Sequence, residues 1–337
     1  MNAMLLVRAL RDPASLGPDT DWTGLISAAR AEQLSFSLAV RMEGRDVPAR
    51  IAAIFESARR DAAYARTQAL WEAEMARRAL APLGVPVVLL KGTAFHAAGL
   101  DACRGRSVGD LDILVPRTAI ERVEEALIAA GWERLKPAEG YDDLYYRRWM
   151  HELPPLIHRT RDRMIDVHHT ILPPTARPTP DADALIADSV ALESGLRILN
   201  PSDMIVHAAA HLIADGDLAG GLRNLWDIDR LLREFEAADP DFWTKLDGRA
   251  RRHQLGGAVR RAVRLAHQLY ATPVPAGWRG RRPADGLFRA RLVARNAWGQ
   301  ERRKGLRFLF YVRGHWLRMP PLMLARHLWT KARSKGA

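Results

Sequence analysis

The chain has 337 residues, enough for two compact units, and its 48% hydrophobic content is ordinary for a globular protein. A single cysteine, Cys103, excludes an internal disulfide and a cysteine-based zinc cluster. The net charge of +12 is local: from Arg279 onward 16 Lys/Arg face 2 acids, a surplus of 14, whereas the rest of the chain carries −2, so the distributed basic face of a general nucleic-acid binder is missing.

Residues 21–80 read as helices. Trp22, Leu25, Ile26 and Ala29 recur at helical spacing, Asp21 or Thr23 is placed to cap them, and an alanine-rich stretch over 48–78 suits long packed helices. Leu83 and Gly84 end this block. A buried-strand run follows over 85–90, then Lys91-Gly92-Thr93, a helix over 92–100, a Gly/Arg loop and a strand over 110–115. The next helix spans 117–130. Pro116 opens it, Thr118 with Glu121 forms a capping box, and Gly131-Trp132 closes it. Residues 144–158 read as a hairpin partner for the apolar run Met164-Ile165-Asp166-Val167-His168, although Pro154-Pro155 interrupts them. A proline-rich link over 173–180 marks the end of this core. Helical periodicity then returns, with helices over 202–214, opened by Pro201, and 222–235.

The most informative residues are Asp110 and Asp112. In a strand, residues i and i+2 share a face, so both carboxylates project side by side while Leu111 and Ile113 turn into the core. Two like charges held that close need a proton or a cation between them. A hard divalent ion such as Mg²⁺, or Mn²⁺, is the natural partner. If the 164–168 run joins the same sheet, Asp166 meets the pair. Three carboxylates, two on one strand and one on its neighbour, suit phosphoryl or nucleotidyl transfer on one or two divalent ions. Lys91, at the turn after a buried strand, can neutralise a triphosphate as a point charge. His168 shares the face of Asp166 and can touch a phosphate or the acceptor.

Leu90-Lys91-Gly92-Thr93, Arg106, Asp110-Leu111-Asp112-Ile113-Leu114-Val115, Gly131-Trp132 and Ile165-Asp166-Val167-His168 together resemble the uncharacterised nucleotidyltransferase family of the polymerase-β-like superfamily. The resemblance implies an α+β fold: a minimal nucleotidyltransferase core, a small mixed sheet with helices, at 83–172. An N-terminal helical region over 1–82 and a C-terminal one with a basic tail over 181–337 would flank it. It implies that Asp110, Asp112 and Asp166 hold the metal, that Gly92 and Thr93 stand where the family's Gly-Ser element holds nucleotide phosphates, and that Arg106 matches a family position. Thr93 replaces the usual serine, a lysine precedes the glycine, and the gap from Gly92 to Asp110 is longer than in compact members. The expected reaction is transfer of a nucleoside monophosphate from an NTP, with ATP the expected donor, to a hydroxyl-bearing acceptor. The alternatives are kinase-type phosphoryl transfer to a peptide or small molecule, and a non-catalytic nucleotide-binding module that docks through its basic tail.

Secondary features have plainer readings beside functional ones. His207 and His211, four apart on one helical face, read as a metal site, a substrate-cleft wall or interhelical hydrogen-bonding groups. Asp227 is the expected partner of one of them. Aromatics and arginines alternate over 305–331 (Phe308, Phe310, Tyr311, Trp316 and Trp329 with Arg307, Arg313, Arg318 and Arg326), which suits either peripheral contact with a membrane or protein, or a docked helix pair. No apolar run of about 20 residues and no secretory leader is found, so a cytoplasmic location is the expectation.

Overall fold

Asp110–Leu114 and Met164–His168 lie side by side as parallel strands in the computed structural model, which describes residues 2–135 and 147–318. They are the centre of a seven-stranded mixed sheet. Its strands are β1 (Val88–Leu89), β2 (Asp110–Leu114), β3 (Trp132–Arg134), β4 (Leu156–His158), β5 (Met164–His168), β6 (Val190–Ala191) and β7 (Arg197–Ile198), in the order β3-β4-β5-β2-β1-β7-β6. β1 runs antiparallel to β2 and parallel to β7, so two short strands from beyond the proline-rich link complete one edge of the sheet. β4 pairs antiparallel with β5, as the hairpin reading expects; residues 144–146 lie outside the described residues.

Helices surround this sheet, making the fold α+β. On the N-terminal side are α1 (Asn2–Arg11), α2 (Trp22–Ala31), α3 (Ser35–Arg41) and α4 (Ala49–Leu80). Asp21 caps α2, its Oδ1 accepting from the Gly24 N–H at 2.8 Å. α4 is amphipathic along its length: Phe55, Ala69, Ala73, Ala76 and Leu80 are buried, while Tyr64 and Trp71 face solvent. Gly84 takes the left-handed conformation that turns the chain into β1. Within the core come α5 (Lys91–Ala97) and α6 (Ile120–Ala129). The capping box expected at Thr118 and Glu121 does not form. A 3₁₀ turn over Arg117–Ala119 takes the entry, and Ala119, which has no side-chain acceptor, becomes the N-cap.

The C-terminal side holds α7 (Ala182–Ala187), α8 (Pro201–Ala209), α9 (Gly221–Ala238), α10 (Phe242–Arg252), α11 (Gly256–Tyr270), α12 (Asp285–Leu292) and α13 (Lys304–Arg318). Asn200 caps α8 by accepting from the Asp203 N–H at 3.0 Å, with Pro201 in the first turn. The helix expected over 202–214 changes character at Ala210, where a π-helical segment, Ala210–Asp215, carries the chain onward. Such wide turns redirect side chains inside a helix, and this one carries His211. In α13, Phe310 is buried edge-on against Phe288 at 4.9 Å between ring centroids, while Phe308 and Leu309 are exposed. The tail thus begins as a docked helix. Trp329 and Arg326 lie outside the described residues. No helix among the described residues is long and apolar enough to cross a membrane.

Candidate active site

The parallel register decides the geometry of the acids. Asp112 stands opposite Asp166, and Asp110 lies two residues earlier on the same face of β2. One carboxylate oxygen from each of Asp110, Asp112 and Asp166 lies within 4.8 Å of the others. Leu111 and Ile113 point the other way, into the core.

The three acids occupy unlike surroundings. Asp112 is only 3% exposed. Its Oδ1 receives the Lys91 ammonium at 2.5 Å and lies 3.0 Å from His168 Nε2. Burial works against its charge, but Lys91 and His168 override burial and hold the carboxyl far below its ordinary range. Burial likewise opposes the Lys91 ammonium, and Asp112 overrides it, so the lysine pKa rises. Asp166 has no such partner. Burial, then the charges of Asp112 and Glu152, push its pKa up to about 7. Its Oδ1 is buried and has no hydrogen-bond partner among the described residues. A buried carboxylate oxygen without a donor is costly. That oxygen, two neighbouring carboxylates and an all-oxygen donor set fit a hard divalent cation.

Lys91 reaches Asp112 because of where its backbone turns. It is the first residue of α5, directly after β1, and its φ of 47° is left-handed. Gly92, next in line, admits Arg106: a Cβ there would lie 2.0 Å from the Arg106 Nη1 and 2.9 Å from a Val108 methyl. The space beside Gly92 is therefore taken by an arginine side chain, where close approach of a phosphate was expected. Thr93 is buried and lines a small recess with Gly109 and Asp110.

Arg106 itself is buried and donates from Nε to Asp227 Oδ2 at 2.8 Å. Asp227 was expected to bind His207 or His211; it pairs with the arginine because α9 lies across the Gly/Arg loop. The His96 ring closes the other side of that loop, its Nε2 lying 2.9 Å from the Arg106 carbonyl. His207 is buried, which pushes its pKa well down, and His211 lies on the wall facing Lys91. Cys103 is a free, half-buried thiol whose pKa is raised by burial.

An open cleft of about 680 Å³ runs in front of Asp110 and Asp112. Lys91, Arg106, Asp110 and Asp112 from the core line one side, and Gln33, His211, Arg223 and Arg295 from the helical flanks line the other. Arg223 donates to Gln33 Oε1 and to the Ser107 carbonyl, each at 2.6 Å, and burial, with the nearby Arg106 charge, lowers its pKa to about 10. The cleft thus sets carboxylates beside a row of cations. Sequence reasoning missed Gln33, Arg223 and Arg295, which sit at the ends of helices and loops with no motif to mark them. It also missed His151 and Glu152. Their one legible signal is a position beside the run of prolines that leads into β4.

A small mixed sheet that gathers three carboxylates from two adjacent strands beside a cleft between helical flanks is the arrangement of a nucleotidyltransferase core. The chain belongs to the uncharacterised nucleotidyltransferase family, whose model matches residues 18–271, from just before α2 to just past α11. The match takes in most of both helical flanks and leaves α1, α12 and α13 outside it. No curated protein matches the chain.

Proposed function

We propose that this protein is a metal-dependent nucleotidyltransferase that moves a nucleoside monophosphate from an NTP, ATP first among donors, to a hydroxyl-bearing acceptor. One observation carries the reading: Asp110, Asp112 and Asp166 converge from two adjacent strands, the buried Asp166 Oδ1 has no hydrogen-bond partner among the described residues, and Asp110 and Asp112 open onto a cleft lined by cations. Asp110, Asp112 and Asp166 would hold the divalent ion, Mg²⁺ or Mn²⁺. When bound, such an ion supplies charge neutralisation for the triphosphate and for the developing oxyanion.

The chain's own residues do the remainder. The acceptor oxygen attacks the α-phosphorus, forming one O–P bond as the bond to the bridging oxygen of pyrophosphate breaks. Asp166, the acid with no cationic side chain beside it among the described residues, is the candidate to take the acceptor's proton. The buried His168 steadies Asp112 through its Nε2 contact. Lys91, Arg106 and Arg223 line the path of the triphosphate and leaving pyrophosphate as fixed positive charges. Positioning and charge neutralisation of this kind supply most of the rate in phosphoryl-group transfer.

The test is product analysis with α- and γ-labelled ATP, GTP, CTP and UTP against an acceptor panel read by mass shift. Label transferred from the α-position, and abolished in Asp112→Asn, supports the proposal. Transfer of the γ-label instead makes the protein a kinase. Nucleotide binding without transfer to any acceptor makes it a binding module.

A further inference from the structure

Beside the carboxylate triad is a second cluster of different chemistry. The chain at 151–153 runs antiparallel to the end of β5: the His169 N–H donates to the His151 carbonyl and the Leu153 N–H to the Val167 carbonyl, each at 2.9 Å. Glu152 is thereby set opposite His168. The His151 and His168 rings lie 5.3 Å apart between centroids, tilted by 32°. One ligand atom each from His151, Glu152 and His168 lies within 4.8 Å of the others. His168 is 3% exposed, and its Nδ1 is buried with no hydrogen-bond partner among the described residues.

We propose that His151, Glu152 and His168 form a second metal site, selective for a Zn²⁺-type transition ion over Mg²⁺. The donor set is two imidazoles and one carboxylate, which suits zinc, cobalt or iron, whereas the triad offers only oxygen. The spacing agrees. His168 Nδ1 is 3.4 Å from Glu152 Oε2, and His151 Nε2 is 3.8 Å from the same oxygen. These separations are long for hydrogen bonds that matter but close to the edge of a tetrahedron with bonds of about 2.0–2.1 Å, roughly 3.4 Å. Three protein ligands leave a fourth position open.

The far side of the His168 ring supports the assignment. A histidine that binds a metal through one nitrogen commonly donates its other N–H to a carboxylate. Here Nε2 lies 3.0 Å from Asp112 Oδ1. An ion on Nδ1 keeps the proton on Nε2, directed at Asp112, so the second site acts as a positioning device for a member of the triad. The His168 ring links the two sites through this contact, and they share no ligand residue. The inference rests on donor chemistry and spacing and stands whether or not the triad transfers nucleotides.

The full-length protein, stripped with chelator and held in excess Mg²⁺, is titrated with Co²⁺ and read by visible d–d absorption. One equivalent should give a band of tetrahedral or five-coordinate type, displaced by Zn²⁺. The band should persist in Asp110→Asn, and Co²⁺ affinity should fall by at least about tenfold in the isosteric Glu152→Gln and in His151→Gln. Circular dichroism and gel filtration confirm that each variant is folded, and Glu152→Gln alone decides the matter if a histidine variant is not. The absence of a band in the wild type, a band indifferent to Glu152→Gln, or loss of the band in Asp110→Asn overturns the proposal.

Discussion

Asp166→Asn should stabilise the metal-free protein while removing its capacity for metal. The Asp166 pKa rises from an ordinary 3.8 to about 7, burial first and the charges of Asp112 and Glu152 next. Below about pH 4 the group is protonated in both folded and unfolded chains and costs nothing. As pH rises, the unfolded chain loses that proton first, and the folded chain only near neutrality. Stability associated with this group is therefore present at low pH and lost as pH climbs through about 7. A shift of about three units corresponds to about 4 kcal/mol at pH 8. Partial solvent access to Asp166 reduces it, and about 2 kcal/mol is the expected gain for an asparagine that never ionises. Urea unfolding in chelator, for wild type and variant at pH 5 and pH 8, measures it. The variant should be the more stable at pH 8, with the difference shrinking toward pH 5. Added Mn²⁺ should stabilise the wild type and leave the variant nearly unchanged. A variant no more stable than wild type at pH 8 would refute the reasoning, because Asp166 would then not be held against its neighbours.

Lys91→Met leaves Asp112 buried with only His168, so the metal-free protein should lose about 3 kcal/mol in urea unfolding, and a divalent cation should recover more stability in the variant than in wild type. Asp227→Asn strands the buried Arg106 charge 121 residues away in sequence; a drop of about 3 kcal/mol with weakened triphosphate binding, followed by calorimetry, is expected. Phe310→Ala should cost about 3–5 kcal/mol by thermal melting; Phe308→Ser, at an exposed position of the same helix, should stay within about 0.5 kcal/mol. Equal losses for Phe308 and Phe310 would mean that both faces of α13 are covered.

Much of this was legible because strand alternation is a short-range rule. Asp110, Leu111, Asp112 and Ile113 each take the face that a period of two assigns, and the apolar run around Asp166 is strand-like on its own. The helical flanks were legible from 3.6-residue spacing in the same way. What local pattern cannot reach is pairing at long range. β6 and β7 are two residues each, too short to carry a periodicity, yet they close the sheet edge next to β1. The Arg106–Asp227 pair joins a loop to a helix that begins over a hundred residues later, so Asp227 was read against the nearest histidines. The contact that Gly92 makes was hidden for a related reason. A glycine before a helix looks like room for a phosphate, and only the folded loop reveals the guanidinium that fills it. The π-helical change at Ala210 leaves no mark in side-chain spacing over so few residues.

These long-range pairs bear on what the unit of function is. β1 takes its outer partner from Arg197–Ile198, Arg106 takes its counter-charge from α9, and the Asp101 N–H donates to Glu234 on the same helix at 2.8 Å. A fragment spanning only 83–172 would expose an edge of β1 and strip Arg106 of its counter-charge, both of which disfavour the native arrangement. The cations across the cleft come from outside that fragment as well: Arg223 from α9 and Arg295 from the turn before α13, the latter held by Glu32 at the end of α2. The carboxylates gather one kind of charge on the sheet, and the helical flanks supply much of the opposite kind. A triphosphate carrying a divalent ion needs both, so the flanks are part of the site's electrostatics, and the family match across 18–271 spans the same extent of chain that this charge arrangement requires, Arg295 alone excepted.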